Sequence, residues 1–287
     1  MIRPRRSVLY MPGSNARALE KARALAADAL ILDLEDAVAP DAKELARRQV
    51  CDAVAARGFG KREVIVRINA LATPWGEADL AAAVAAKPDA ILLPKVSTLA
   101  DLHAAEERLV RLHADAAIRL WAMIETPLAV LNVAALAGAG GRLAAFVMGT
   151  NDLIKELRGR HMVDRANLHA ALGLSVAAAR AHGLAVIDGV YNDIQDGDGF
   201  SASCAQARGF GFDGKTLIHP SQVEPCNRSF APSPEEVEDA RKILAAFDLP
   251  ENRGKGAIKL DGRMVELLHA EIARRTVALA DAIAAMI

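Results

Sequence analysis

Eight short apolar runs recur along this chain, and segments with helical spacing lie between them. The runs are SVLYM (7–11), ALIL (29–32), EVIVRI (63–68), AILLPK (90–95), RLWAMI (119–124), AAFVM (144–148), LAVID (184–188) and KTLIH (215–219). Most are near-continuous rather than alternating, the pattern of strands covered on both faces. The segments between them, such as NARALEKARALAA and RANLHAALGLSVAAARAHG, are rich in Ala, Leu, Glu and Arg, and the second ends at Gly183, a helix stop. Strands alternating with helices read as a parallel βα array. The count suits the α/β class and a closed (β/α)8 TIM barrel, with an open doubly wound sheet as the alternative. A chain of 287 residues holds a barrel of ~250 residues and a small appendage.

The texture changes near residue 230, which predicts a barrel over 1–230 and an extension over 231–287. SPEEVEDARKILAAF reads as a capped helix, with Ser233 as N-cap, Pro234 at the first helical position and acids in the first turn. In GAIKLDGRMV, Asp261-Gly262 separates two short extended runs, a hairpin signal. VELLHAEIARRTVALADAIAAMI reads as an amphipathic helix running to the end.

Charge and composition exclude several functions. The net charge of −1 supplies no field to recruit nucleic acid or an anionic membrane, although RPRR (3–6) is a local basic cluster. No apolar run approaches the ~20 residues of a membrane-crossing helix, and SVLYMPGS is too short for a signal segment, so the expected location is cytoplasmic. Cys51, Cys204 and Cys226 are widely spaced and suggest neither disulfides nor a thiolate zinc site. Nucleotide loops of the P-loop or GxGxxG type are absent, and Ser7, Ser14 and Ser175 lack a nucleophile-elbow context.

In a barrel the chemistry belongs at the C-terminal ends of the strands. Those ends are predicted to deliver Gly13, Ser14 and Asn15; Asp33, Glu35 and Asp36; Arg67 and Asn69; Lys95; Glu125 and Thr126; Asn151 and Asp152; Asp188, Tyr191, Asn192 and Asp193; and Lys215 and His219. Arg67, Lys95 and Asp188 stand out as charges within apolar runs, costly unless paired or metal-bound. Glu125 and Asp152 lie about one βα unit apart, each just past its run, so adjacent strands would hold two carboxylates side by side. Such a pair repels unless a cation neutralises it, and two carboxylates with waters and a substrate oxygen suit Mg²⁺. The plainer alternative is solvated loop acids. Arg67 is either a fixed cation for a carboxylate or oxyanion, or a structural partner of Asp33 or Glu35. Asn151 is open between helix cap and site residue.

Taken together, RSVLYMPGSNARALEKA, ADALILDLEDAV, VIVRINALATPWG, AILLPKV, AMIETPLAVLN, VMGTNDLIKEL, DGVYND and GFDGKTLIHPSQV resemble, in order, the citrate lyase β-subunit/CoA ester lyase family of the HpcH/HpaI aldolase superfamily. The resemblance implies a (β/α)8 barrel in homotrimers or homohexamers, with a C-terminal segment covering a neighbouring protomer's site. It implies Mg²⁺, with Mn²⁺ as an alternative, on Glu125 and Asp152, and Arg67 on substrate oxygens. It sets Glu35 and Asp36 around the metal's water shell, and Asn151 and Arg67 near the substrate. Arg17 and Lys21 would meet the phosphates of CoA.

The activity so implied is cleavage of a 3-hydroxyacyl-CoA thioester (malyl-, methylmalyl- or citramalyl-CoA) into a 2-keto acid and an acyl-CoA. The tail departs from the lyases. Where many of them carry an Asp that enters the neighbour's site as acid/base, MVELLH presents Glu266. This tail, with VYND and GTNDLIKEL, is similar to the (3S)-malyl-CoA thioesterase branch, so hydrolysis to malate and CoA is the alternative. A further alternative is a citrate lyase β subunit acting with an acyl-carrier partner.

Overall fold

The computed structural model describes residues 2–286. Residues 5–230 form one compact unit; residues 2–4 and 231–286 form another. The first unit is a closed barrel of eight parallel strands in sequential order: β1 (Ser7–Pro12), β2 (Ala29–Asp33), β3 (Glu63–Arg67), β4 (Ala90–Leu93), β5 (Arg119–Ile124), β6 (Leu143–Met148), β7 (Ala185–Asp188) and β8 (Gly214–Leu217). β1 also pairs with β8, which closes the ring and excludes the open sheet.

Side chains alternate across each strand, so the barrel has two apolar layers. Val8, Ile31, Ile65, Leu92, Trp121, Met123, Val147 and Ile187 fill the lumen. Leu9, Leu30, Val66, Ile91, Phe146, Val186 and Leu217 belong to the other layer, with helix residues such as Val50, Leu80, Leu109, Leu172 and Phe200. Full burial of each large aliphatic side chain contributes ~1.5–3 kcal/mol. At the N-terminal end of the lumen, Arg5 forks onto Glu63 at 2.6 and 2.8 Å and lies 5.2 Å over the Trp121 ring. The N-terminal basic cluster is therefore partly structural, since Arg6 also pairs with Asp28 at 2.8 Å.

The alternation decides which terminal residues enter the mouth. Asp33 and Arg67 continue the inward positions of Ile31 and Ile65, and Glu125 continues those of Trp121 and Met123. Asp188 follows inward-facing Ile187 and therefore points the other way, toward the helices. There its carboxylate takes two 2.8 Å bonds from Arg165 and one of 2.7 Å from Lys215. Lys215 is the second residue of β8, fully buried, and not at the strand's C-terminal end. The expectation that Asp188 and Lys215 serve the mouth is corrected: they are a buried ion pair behind the barrel wall.

In the second unit, β9 (Ala257–Leu260) and β10 (Arg263–Glu266) form an antiparallel hairpin. Asp261 and Gly262 both have positive φ, 49° and 79°, as a two-residue turn of this hand requires. The helix Pro234–Asp248 opens with a capping box between Ser233 and Glu236 and packs on the helix Leu267–Ala284. Among the described residues no helix is long and apolar enough to cross a membrane.

Candidate active site

Asp33 and Arg67 are register partners on adjacent strands. Arg67 Nε and Nη2 donate to the two Asp33 oxygens, each at 2.6 Å. The same oxygens accept the backbone N–H groups of Glu35 (2.9 Å) and Ala37 (3.1 Å), which bends the chain sharply after β2. Arg67 Nη1 then faces Glu35 Oε2 at 2.9 Å, Asp36 Oδ2 at 3.5 Å and Met123 Sδ at 3.7 Å. The guanidinium lies 4.8 Å over the Tyr10 ring. Burial opposes its charge, but the Asp33, Tyr10 and Glu35 contacts outweigh this and hold its pKa well above the ordinary value. The structural and functional readings of Arg67 are thus compatible: Asp33 aims it, and one edge is left toward the acids.

Glu35 is buried, and burial is the main reason its pKa rises to about 8. Arg67 opposes the rise, while Asp36, Glu125 and Asp33 add to it. The Glu35 loop is pinned from behind. The ammonium of buried Lys43 donates to the carbonyls of Leu34 and Glu35, each at 2.8 Å, and to Asn69 Oδ1 at 2.7 Å. Asn69 in turn donates to Leu34 O and to Asp79, which Arg47 holds at 2.6 Å. Asp36 is exposed at the rim.

On the opposite side, Glu125 follows β5 and is fully buried. Its Oε1 accepts the backbone N–H of Lys95 at 2.6 Å. Lys95 lies two residues beyond β4, not within it, with a left-handed φ of 55° that costs a side-chain-bearing residue strain. Its Nζ is 2.8 Å from Asp152 Oδ2 and 3.5 Å from Glu125 Oε1. Burial works against the Lys95 charge, but the Asp152 bond and the charges of Glu125 and Asp152 outweigh it and raise the pKa. Burial likewise raises Glu125, with Lys95 opposing.

Asp152 sits in the first turn of the helix Thr150–Glu156, where the helix dipole favours a carboxylate. Gly149 is that helix's N-cap, so Asn151 is not the cap; it exchanges two side-chain hydrogen bonds with Asn192, at 3.0 and 2.9 Å. A Cβ at Gly149 would collide with Glu125 Cβ and lie 2.6 Å from Oε2.

These residues suit a hard divalent cation. Glu125 Oε2 is buried without a hydrogen-bond partner, and the remaining carboxylate oxygens named above share a positive charge. Among the described residues no group of three or more His, Cys, Asp or Glu forms a metal cage. Two carboxylates with the other positions left to water and substrate is the arrangement Mg²⁺ favours.

Arg17 and Lys21 are exposed on the helix Ala16–Ala22, which follows β1. Glu266 belongs to the second unit, as the exposed last residue of β10 and the residue that opens the helix Leu267–Ala284; its N–H donates to His269 Nδ1 at 3.0 Å. Lys43 and Tyr10 escaped the sequence reading. No local motif marks Lys43, since its three acceptors lie on two different loops.

Comparison with known proteins adds to this geometry. Residues 6–220 match the family model described as HpcH/HpaI aldolase/citrate lyase. A (3S)-malyl-CoA thioesterase of Cereibacter sphaeroides is 54% identical over 282 residues, covering 98% of this chain and 96% of that protein. An L-malyl-CoA/beta-methylmalyl-CoA lyase of the same species is 33% identical over 307 residues, covering 99% and 96%. The crystal structure of the protein CitE from Mycobacterium tuberculosis in complex with magnesium, acetoacetate and coenzyme A superposes with a TM-score of 0.75 at 30% identity, over 96% of this chain and 98% of that one.

Proposed function

The chain belongs to the HpcH/HpaI aldolase/citrate lyase family, and on that premise we propose that it is a Mg²⁺-dependent (3S)-malyl-CoA thioesterase, an enzyme acting on CoA esters. The observation that carries this reading is the step in similarity, 54% to the thioesterase against 33% to the lyase, at near-complete coverage of both. The carbon–carbon lyase to which the sequence motifs point first is the less supported of the two. A citrate lyase β subunit working only with partner chains is supported less again.

In this reading Glu125 and Asp152 hold the metal, and the buried, unpartnered Glu125 Oε2 is the oxygen that most needs it. When bound there, Mg²⁺ supplies Lewis-acid polarisation and lowers the pKa of oxygens on it. Arg67, aimed by Asp33, stabilises the negative charge that develops on the thioester oxygen as water adds to the carbonyl carbon. The C–S bond then breaks, and the proton lost by water ends on the sulfur of CoA. Glu35, with its pKa near 8, and Asp36 are the acids beside Arg67 that orient water.

We assign the proton carrier to Glu266, arriving from a neighbouring copy in a homotrimer or homohexamer, and the CoA phosphates to Arg17 and Lys21. Mixing inactive Glu266→Ala and Asp152→Ala protomers restores activity if Glu266 acts across copies; no recovery removes that assignment. The metal reading is tested by Glu125→Gln and Asp152→Asn. Both are expected to abolish Mg²⁺-dependent release of CoA from malyl-CoA while leaving the circular dichroism spectrum intact. Unchanged turnover would overturn it.

A further inference from the structure

We propose that Lys95 is a working part of the cation site: an internal ammonium that a divalent ion displaces from Glu125 and Asp152. The inference rests on reading those two carboxylates as the metal-holding pair. Its geometric basis is the double contact of one residue. The Lys95 ammonium reaches both carboxylates, at 2.8 and 3.5 Å, while its backbone N–H holds Glu125 Oε1 at 2.6 Å. The left-handed φ of 55° lets amide and ammonium converge on the same acid.

The loop around it is braced. Ser97 Oγ and Thr126 Oγ1 are 2.7 Å apart, and Asn132 Nδ2 donates to Ser97 O at 2.9 Å. The approach of Lys95 to Glu125 is therefore built into two loops. Arg67, the other cation of the mouth, is committed to Asp33 and buried. Lys95 has a side chain 38% exposed on a flexible stem, so it can move aside while its backbone stays in place.

An ammonium and a divalent cation cannot take the same carboxylate oxygens at full strength, and they repel each other at this range. Measured metal affinity is then the metal–carboxylate attraction less the ion pairs it breaks. Removing the ammonium must tighten metal binding. The displaced ammonium stays at the mouth, where it can pair with the anionic substrate, so the same removal must slow turnover. A merely structural lysine would lower both together; opposite signs are the signature of a competing cation.

The experiment is calorimetric titration of Mg²⁺ into the wild-type protein and into Lys95→Met, Lys95→Gly and Lys95→Arg, with turnover of malyl-CoA measured at saturating Mg²⁺. Glycine adopts the left-handed φ without strain and keeps the amide on Glu125, so it separates the loss of charge from any distortion of the loop. Lys95→Met and Lys95→Gly are expected to bind Mg²⁺ roughly tenfold more tightly than wild type, with turnover falling about tenfold. Lys95→Arg, which keeps the charge, stays within about threefold of the wild-type affinity. Equal or weaker Mg²⁺ binding by both neutral variants, beside a wild type that binds, overturns the role of Lys95 and leaves the metal pair standing. A wild type that binds no Mg²⁺ overturns the metal pair and this inference with it.

Discussion

Asp33 and Arg67 close a buried, two-point ion pair across the ends of neighbouring strands, with both hydrogen bonds at 2.6 Å. The pair fixes the direction of the guanidinium before any substrate arrives. Asp33→Ala leaves a buried guanidinium without its main partner, and unfolding free energy is expected to fall by ~3–5 kcal/mol in a urea titration. Arg67→Lys keeps the charge but loses the fork, and turnover is expected to fall by ~10²–10³ with the fold intact. A fully active Arg67→Lys variant removes Arg67 from the chemistry.

Glu35 gives the site a pH dependence whose sign can be worked out. Burial lifts its pKa from an ordinary carboxyl value to about 8, so between those values the folded chain holds a proton that the unfolded chain has lost. Its stabilising contribution is complete below the unfolded pKa and disappears as pH rises through 8. The urea midpoint of metal-free protein is expected to drop between about pH 4.5 and pH 8, and Glu35→Gln to drop less. A bound cation favours ionised carboxylates, so Mg²⁺ binding tightens over the same range. Identical pH slopes for wild type and Glu35→Gln would show that another group titrates.

Gly149 is required for space rather than for backbone conformation, since its φ of −93° is open to any residue. A methyl group there strikes Glu125. Gly149→Ala is expected to weaken Mg²⁺ binding at least about tenfold, because a shifted carboxylate loses its metal geometry. Isothermal titration beside a circular dichroism spectrum separates this from unfolding; wild-type affinity would mean the carboxylate can yield without cost.

Lys43 acts from behind the site. Its ammonium satisfies three oxygens, among them the carbonyl of Glu35 itself. Lys43→Met leaves buried Asn69 Oδ1 without its donor, at ~1–3 kcal/mol, and frees the Glu35 loop, although Leu34 O keeps the Asn69 amide and Glu35 O keeps the N–H of Val38. The expected result is a lowered melting temperature together with a reduced kcat and a KM for malyl-CoA close to wild type. A change in melting temperature with kcat per folded molecule unaltered would make Lys43 purely structural.

How much of this was legible depends on the distance over which each feature is encoded. The parallel βα array is legible because a strand covered on both faces is an unbroken apolar run, whereas its closure into a barrel depends on the pairing of β1 with β8, which no open sheet has and the runs alone do not report. The approach of Glu125 and Asp152 to one mouth follows from each being an acid just past its run. The same unbroken runs hide which face a residue takes, and this is why the sequence alone sends Asp188 and Lys215 to the mouth: Asp188 is one residue past inward-facing Ile187 and Lys215 is its register partner, so both turn away from the lumen. Lys95 stands out in the sequence as a charge, but its left-handed backbone and its grip on Glu125 depend on a loop contact that no periodicity reports. The Lys43 clamp joins residues from two loops and has no local signature at all.

The central claim, hydrolysis of malyl-CoA rather than carbon–carbon cleavage, is tested most directly by product analysis in ¹⁸O-labelled water. The purified chain with (3S)-malyl-CoA and Mg²⁺ is expected to yield malate carrying one ¹⁸O in a carboxyl group and an equal amount of free CoA. Accumulation of glyoxylate and acetyl-CoA, with no labelled malate, would contradict the account.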